Sequence, residues 1–155
     1  MNDPFDDVKS ADMATRRAAE TAIAEMLAAD HGILPVIIEN IRSGDMNSRW
    51  YLSRAVVHEG PQLIPDLIAY ARTETDGDVL KYLGAILASF GAPAIDPLIG
   101  LFASDNAKVR GMAAAALERI GEPAVEPLVA ASRSADPMTR QCALFILQKY
   151  GGIPE

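Results

Sequence analysis

The sequence predicts an all-α protein, a short right-handed α-solenoid (alpha-alpha superhelix) of about five helical hairpins. Three observations predict it: a motif that returns every thirty or so residues, helix start and stop signals at fixed places in each unit, and composition. Half of the 155 residues are hydrophobic, only 6% are aromatic, and ten Pro and eleven Gly stand at recurring places. This pattern favours helices cut at regular intervals over a β-sandwich.

The repeat is clearest in one nine-residue motif. Gly-Ala-Pro-Ala-Ile-Asp-Pro-Leu-Ile at residues 91–99 returns thirty residues later, at 121–129, as Gly-Glu-Pro-Ala-Val-Glu-Pro-Leu-Val. Looser copies begin at Gly60 and Gly32. A second series lies in the other half of each unit and consists of Arg16, Arg49, Leu80, Arg110 and Arg140. Two independent markers with one period establish the repeat.

Each unit is predicted to contain two helices. The first is expected to start near a proline, because proline suits the first turn of a helix. These prolines are Pro35, Pro65, Pro97 and Pro127. The second is expected to start behind an aspartate, whose carboxylate can accept hydrogen bonds from the free N–H groups, and to end at a glycine in a left-handed conformation. The aspartates are Asp45, Asp76, Asp105 and Asp136.

In chain order these units make up one predicted repeat domain, residues 1–155. Residues 1–31 are expected to be an incomplete N-terminal cap repeat, because residues 1–10 are too short and too acidic for a full first helix. The full repeats are predicted at 32–59, 60–90, 91–120 and 121–150, with a tail at 151–155.

The pattern G-x-P-A-hydrophobic-x-P-L, then D-x-x-x-R or D-x-x-x-V-R, then A-A-x-x-A-L, resembles the short HEAT-like repeats of the phycobilisome lyase family. The resemblance is clearest over residues 91–150, good over 60–90 and weaker before that. It implies a stack in which the second helices line a concave face. It also implies an alternative function, that of a bilin lyase-type or chromophore-handling subunit.

Residues that recur once per repeat are interpreted as scaffold, because each copy usually has the same structural role. Asp105 and Asp136 are expected to cap helices. Arg110 and Arg140 are expected to bond carbonyls or the Asp of an adjacent repeat. The methionines are interpreted as core residues. They are Met13, Met26, Met46, Met112 and Met138.

Positions +1, +4, +5 and +8 from the marker Arg are predicted to point outward from each second helix. In the middle repeats these outward positions are mostly occupied by Gly and Ala, which have almost no side chain, while aromatic and basic residues lie on either side. We interpret this arrangement as a groove for a peptide or helix. The candidate protein-binding residues are Trp50, Arg54, Lys81, Gly84, Ala88, Gly111, Ala115 and Phe145. The alternative is that Ala simply favours helices and that the two Gly permit tight packing of neighbouring second helices.

Charge and motifs restrict the function classes. A net charge of -7 argues against binding nucleic acid or a membrane over a broad surface. A lone Cys142 fits a reducing compartment, so cytoplasmic residence is expected. His31 and His58 lie near helix ends, and no phosphate-binding, nucleophile or metal-ligand motif occurs. We therefore expect no catalytic residues, cofactor or metal.

The prediction is a non-catalytic interaction module or scaffold whose partner is another protein. The alternative is that Leu144 and Phe145, which are predicted to point outward, form a homodimer contact through the C-terminal repeat.

Overall fold

The structure is a computed structural model that describes residues 2–151. The regular secondary structure of these residues is helical and comprises ten α-helices, which confirms the all-α solenoid of helical hairpins. In chain order they are α1 Pro4–Asp7, α2 Met13–Ala29, α3 Leu34–Ser43, α4 Met46–Glu59, α5 Ile64–Thr73, α6 Gly77–Ser89, α7 Ala92–Gly100, α8 Ala107–Ile120, α9 Val125–Ala131 and α10 Pro137–Lys149. The predicted tail lies outside the described residues except for Gly151.

The chain forms two compact units, Met1–Gln62 and Leu63–Glu155. The assignment of one repeat domain to the whole chain stays a prediction. Within the described range, none of the helices combines the length and the apolar character that crossing a membrane requires.

The first unit contains α1 to α4. Helix α2 packs against α4, while the short α1 packs on α2 and α3 packs on α4. Its core is aliphatic, with Ile23, Leu27, Ile37, Ile41 and Leu52 at most 1% exposed. Helix α1 is only four residues long, as the acidic N-terminus predicts for a cap.

The second unit arranges α5 to α10 in two layers. The first helices of its hairpins, α5, α7 and α9, contact one another in sequence, and so do the second helices α6, α8 and α10. The core between the layers includes Leu83, Leu98, Phe102, Leu117 and Ile146, all at most 1% exposed. Burial of these apolar side chains is the main contribution that holds the layers together.

Helix caps confirm most of the predicted boundaries. Asp45, Asp76 and Asp136 each accept hydrogen bonds from first-turn amides. The prediction that Asp105 caps α8 is wrong. The cap is Asn106, whose Oδ1 accepts a hydrogen bond from the Lys108 amide at 2.9 Å. Either side chain can cap a helix, and the chain enters the helical conformation one residue later than expected.

The second helices of the full repeats are followed by glycine with positive φ, as expected. The φ values are +107° at Gly60, +70° at Gly91, +81° at Gly121 and +95° at Gly151. The prolines agree only in part, because Pro97 lies inside α7, which already begins at Ala92. The prediction that α7 starts near Pro97 is therefore wrong.

The once-per-repeat arginines bond carbonyls of their own hairpin, which confirms one of the two expected roles. The guanidinium of Arg110 donates to the Ser104 carbonyl at 2.7 Å, and that of Arg140 donates to the Ser134 carbonyl at 2.8 Å. Arg16 bonds the Ser10 carbonyl in the same way. Each Arg thus ties the second helix to the turn before it, where carbonyls need donors.

The middle hairpin replaces this bond by another. Leu80, in the place of the Arg, is buried in the core. The carboxylate of Glu74, 7% exposed, accepts from the amides of Thr75 and Asp76 at 3.0 Å each. The turn is therefore held by a buried acceptor instead of a donor, a substitution that the repeat pattern does not predict.

Candidate functional site

The predicted outward positions lie on the surfaces of α4, α6, α8 and α10, with one exception. Trp50, Lys81, Gly111 and Phe145, at the +1 and +5 positions, are exposed. Gly84 is buried, so the prediction that it is an open outward position is wrong. A Cβ at Gly84 would lie 2.9 Å from Cγ of Met112, which means that Met112 packs directly over the glycine.

The first cleft of the second unit lies between α6 and α8 and has a volume of about 440 Å³, which is in the range of small ligand pockets. Lys81, Gly84 and Ala115 from the predicted set line it together. Met112 and Arg119 join them in its wall. The cleft therefore has an apolar floor with Lys81 and Arg119 in its lining, while Ala88 lies half-buried further along α6.

The second cleft lies between α8 and α10. Gly111 and Phe145 line it, and a Cβ at Gly111 would meet no atom within 4 Å. Phe145 is 56% exposed, and the Lys149 ammonium lies 4.8 Å from the centre of its ring. An exposed aromatic ring beside an open glycine is an arrangement that accepts a closely approaching backbone.

These two clefts and the ridge of α8 between them are called the α8 face. The small residues Gly111 and Ala115 are exposed on the ridge, and Ala114 beside them is half-buried. Helix axes pack about 8–10 Å apart, and the smaller separations need such small side chains at the contact. Small side chains at such a position leave room for another helix or an extended peptide to approach closely.

The remaining predicted residues, Trp50 and Arg54, lie on α4 of the first unit. Trp50 is 50% exposed, and the Arg54 guanidinium lies 4.5 Å from the centre of its ring. Arg54 also forms an ion pair with Glu20 of α2, with Nε 2.7 Å from the carboxylate oxygen. Arg54 is therefore part of an α2–α4 contact and supports the Trp50 ring, and both side chains are about half exposed.

The α2–α4 contact borders a polar cleft that the sequence analysis missed. Its lining includes Glu20, Glu25, Arg54, His58 and Glu59. Hydrogen bonding by His31 and Gln62 holds the pKa of Glu59 below its usual value. Its lining has three carboxylates and one arginine, and the arginine is paired with Glu20, so the cleft is acidic overall. Spacing within one helix does not reveal it, because its charges come from two repeats.

The sequence analysis also missed Met138 and Cys142 in the cleft between α8 and α10. Met138 is 36% exposed, and Met13, Met26 and Met46 are exposed as well, so the core interpretation is correct only for Met112. Partial burial raises the pKa of the Cys142 thiol, which keeps the thiol protonated near neutral pH. In this state Cys142 contributes a small apolar contact rather than a nucleophile.

Successive helical hairpins, all but the middle one with the same Arg-to-carbonyl bond, define an α-helical repeat protein. Residues 64–148, more than half of the chain, match the family model of HEAT repeats. The chain belongs to the HEAT repeat family. No curated protein matches it. HEAT repeats commonly mediate protein–protein interaction and typically form non-enzymatic scaffolds. The finer resemblance to the phycobilisome lyases, and the bilin-handling function it implies, stay predictions.

Proposed function

We propose that the protein is a non-catalytic interaction module that binds a peptide or helix of another protein on the α8 face. The observation that carries this proposal is the pair of clefts on either side of a ridge made of small residues. A bound helix can rest on Gly111 and Ala115 while its apolar side chains enter the two clefts.

Phe145 is the proposed main anchor of this surface. Its exposed ring offers a large apolar area at low conformational cost, and binding energy at interfaces concentrates on such residues. Met138 lies in the same cleft and is a flexible apolar contact that adapts to different side chains. Gly84 contributes indirectly, because the missing side chain lets Met112 pack close to the backbone of α6. This packing keeps the α6–α8 cleft open.

Trp50 is proposed as a separate contact of the first unit. Arg54 and Tyr51 hold its ring, the latter edge-on with the ring centres 4.8 Å apart. A held, half-exposed indole loses little conformational entropy when it is covered. Because Trp50 is the only tryptophan, its fluorescence reports on this contact alone.

The test fills the ridge of the α8 face with neutral side chains. The Gly111→Gln, Ala115→Gln variant adds bulk without charge, and Gln is a good helix former. The matched control is Gly100→Gln, Ala103→Gln, because both residues are exposed in the first-helix layer of the same unit and Gly100 also has open space around it. Circular dichroism must show that both variants are folded.

Affinity capture from cell extract then compares the native protein with the two variants. The proposal requires a protein that the native chain and the control retain and that the Gly111→Gln, Ala115→Gln variant loses. Equal retention by all three, or no specifically retained protein, would contradict it.

A second candidate function is self-association through the C-terminal repeat. Leu144 is 37% exposed and Phe145 is 56% exposed on the same helix, α10, and neighbouring apolar side chains of this size favour association. Light scattering at high protein concentration distinguishes the two: a doubled molar mass that Phe145→Ala abolishes supports the homodimer, and a monomer mass excludes it.

A further inference from the structure

The charges of the second unit separate into its two layers. The second helices α6, α8 and α10 contain six Lys or Arg and two Asp or Glu, a net charge of +4. The first helices α5, α7 and α9 contain one Arg and three Asp or Glu, a net charge of -2. An acidic chain, with a net charge of -7, thus concentrates positive charge in the layer that contains the α8 face.

Most of these cations already have structural partners. Arg110 and Arg140 donate to carbonyls of their own hairpins, and Lys108 donates to the Thr75 carbonyl at 3.4 Å. Lys149 forms an ion pair with Glu118, with Nζ 2.8 Å from the carboxylate oxygen. Glu118 is the carboxylate in the lining of the α6–α8 cleft, so this pair neutralises the local negative charge.

Two cations of the α8 face remain without such a partner among the described residues. Lys81 and Arg119 are exposed and line the α6–α8 cleft, and the structure of residues 2–151 gives neither of them a hydrogen bond or an ion pair. Asp78, the other acidic residue of the three helices, lies in the first turn of α6. A ligand in the cleft therefore meets two exposed cations that have no ion-pair partner among residues 2–151, next to an apolar floor.

We propose that the partner of the α8 face is an acidic amphipathic helix, with an apolar stripe for the clefts and Asp or Glu beside it for Lys81 and Arg119. This inference rests on the proposed function and adds the chemistry of the partner. Two free cations are too few for the extended phosphate contacts of nucleic acid, whereas they match two carboxylates flanking a helix stripe. The cleft between α8 and α10, whose lining among the described residues contains Phe145 and Met138 and no carboxylate, takes the apolar side chains.

The probe is a fluorescein-labelled amphipathic peptide of about 18 residues, long enough to cross the three helices. It carries a Leu stripe at helical spacing and Glu on both flanks. The matched peptide has the same stripe with Lys in place of every Glu. Fluorescence anisotropy gives the Kd of each peptide for the full chain, and a double-stranded DNA oligonucleotide of equal charge serves as a third ligand.

The protein variants are Lys81→Glu, Arg119→Glu and the control Arg72→Glu, Arg133→Glu. Both doubles change the net charge equally, and Arg72 matches Arg119 because each lies in the last turn of its helix. Arg72 belongs to the first-helix layer, and Arg133 is exposed in the loop after α9.

We expect the acidic peptide to bind native and control protein about tenfold tighter than the Lys81→Glu, Arg119→Glu variant, since two attractive pairs become repulsive. The lysine peptide should show the reverse preference, and Gly111→Gln, Ala115→Gln should weaken both. If the two peptides bind equally well and Lys81→Glu, Arg119→Glu changes nothing, the acidic partner is wrong while the proposed groove stands. If neither peptide binds, both are wrong, and if DNA alone binds, the face recognises a polyanion instead.

Discussion

Two helical glycines of the second unit, Gly84 and Gly111, should respond in opposite directions to substitution by alanine. A Gly in a helix interior is less stable than Ala by about 0.5–1 kcal/mol. Gly111→Ala should gain this amount in full, because the new Cβ meets no atom within 4 Å. In a chain of this length the gain corresponds to a rise in Tm of about 1–4 °C.

Gly84→Ala adds the same methyl group where space is occupied. Its Cβ would lie 2.9 Å from Cγ and 3.2 Å from Sδ of Met112, whereas carbon atoms at rest stay about 3.5–4.0 Å apart. Overpacking of this kind costs about 1–3 kcal/mol, which offsets the helix gain and leaves Gly84→Ala neutral to destabilising. The intrinsic helix gain is common to both variants, so the difference between their Tm values measures the packing cost directly.

Thermal unfolding followed by circular dichroism is the assay, and a Met112→Ala background is the control. In that background the obstructing atoms are gone, so Gly84→Ala should become stabilising even though Met112→Ala itself lowers Tm. If Gly84→Ala raises Tm as much as Gly111→Ala while Met112 is intact, the close packing of α6 on α8 is refuted.

Three further predictions concern the turns. Arg110→Ala should destabilise the fold by about 1–3 kcal/mol, because the charged bond to the Ser104 carbonyl is lost; an unchanged Tm would disprove the structural role of this Arg. Glu74→Ala should lower Tm more than Glu74→Gln, which keeps one oxygen for the amides that the carboxylate now bonds; equal losses would speak against this acceptor role. Hydrogen bonds from the Thr139 hydroxyl and amide lower the pKa of Asp136 below the ordinary value of 3.8. The ionised carboxylate therefore stabilises the fold above pH 3.8, and this stabilisation is lost as the pH falls through the lower pKa of the folded state. Asp136→Asn should therefore flatten the decrease in Tm between about pH 5 and pH 3, whereas parallel curves would contradict it.

Local sequence signals predicted the parts of the fold that depend on local chemistry. A side chain that caps a helix bonds amides two or three residues away, so the caps at Asp45 and Asp136 could be predicted from spacing alone. The same holds for the glycines with positive φ. The cap of α8 was misplaced by one residue because Asp105 and Asn106 are both good caps, and only the backbone path of the turn decides between them.

The depth of the α8 face could not be predicted, because it depends on contacts between repeats. Helical spacing placed Gly84 outward, yet Met112 of the next hairpin covers it. Spacing also gave no reason to expect Met138 in a cleft, since its exposure depends on how α10 lies against α8. The exposed positions of α8 and α10 themselves, such as Gly111 and Phe145, follow from the period of the helix.

Charge pairing is a second property that composition conceals. The net charge of the chain suggests a uniformly acidic protein, but the arginines of the repeat are held by carbonyls and Lys149 neutralises Glu118. Only the structure shows which cations have such partners, and it leaves Lys81 and Arg119 as the cations available to another protein.

Site-specific photocrosslinking tests the proposed binding surface most directly. A benzoylphenylalanine at Gly111 points into open space on the α8 face, and the same residue at Gly100 points into open space in the first-helix layer of the same unit. After irradiation in cells of the source organism, a crosslink to another protein from position 111 and not from position 100 is the expected result. Crosslinks of equal yield from both positions, or from position 100 alone, would contradict binding on the α8 face.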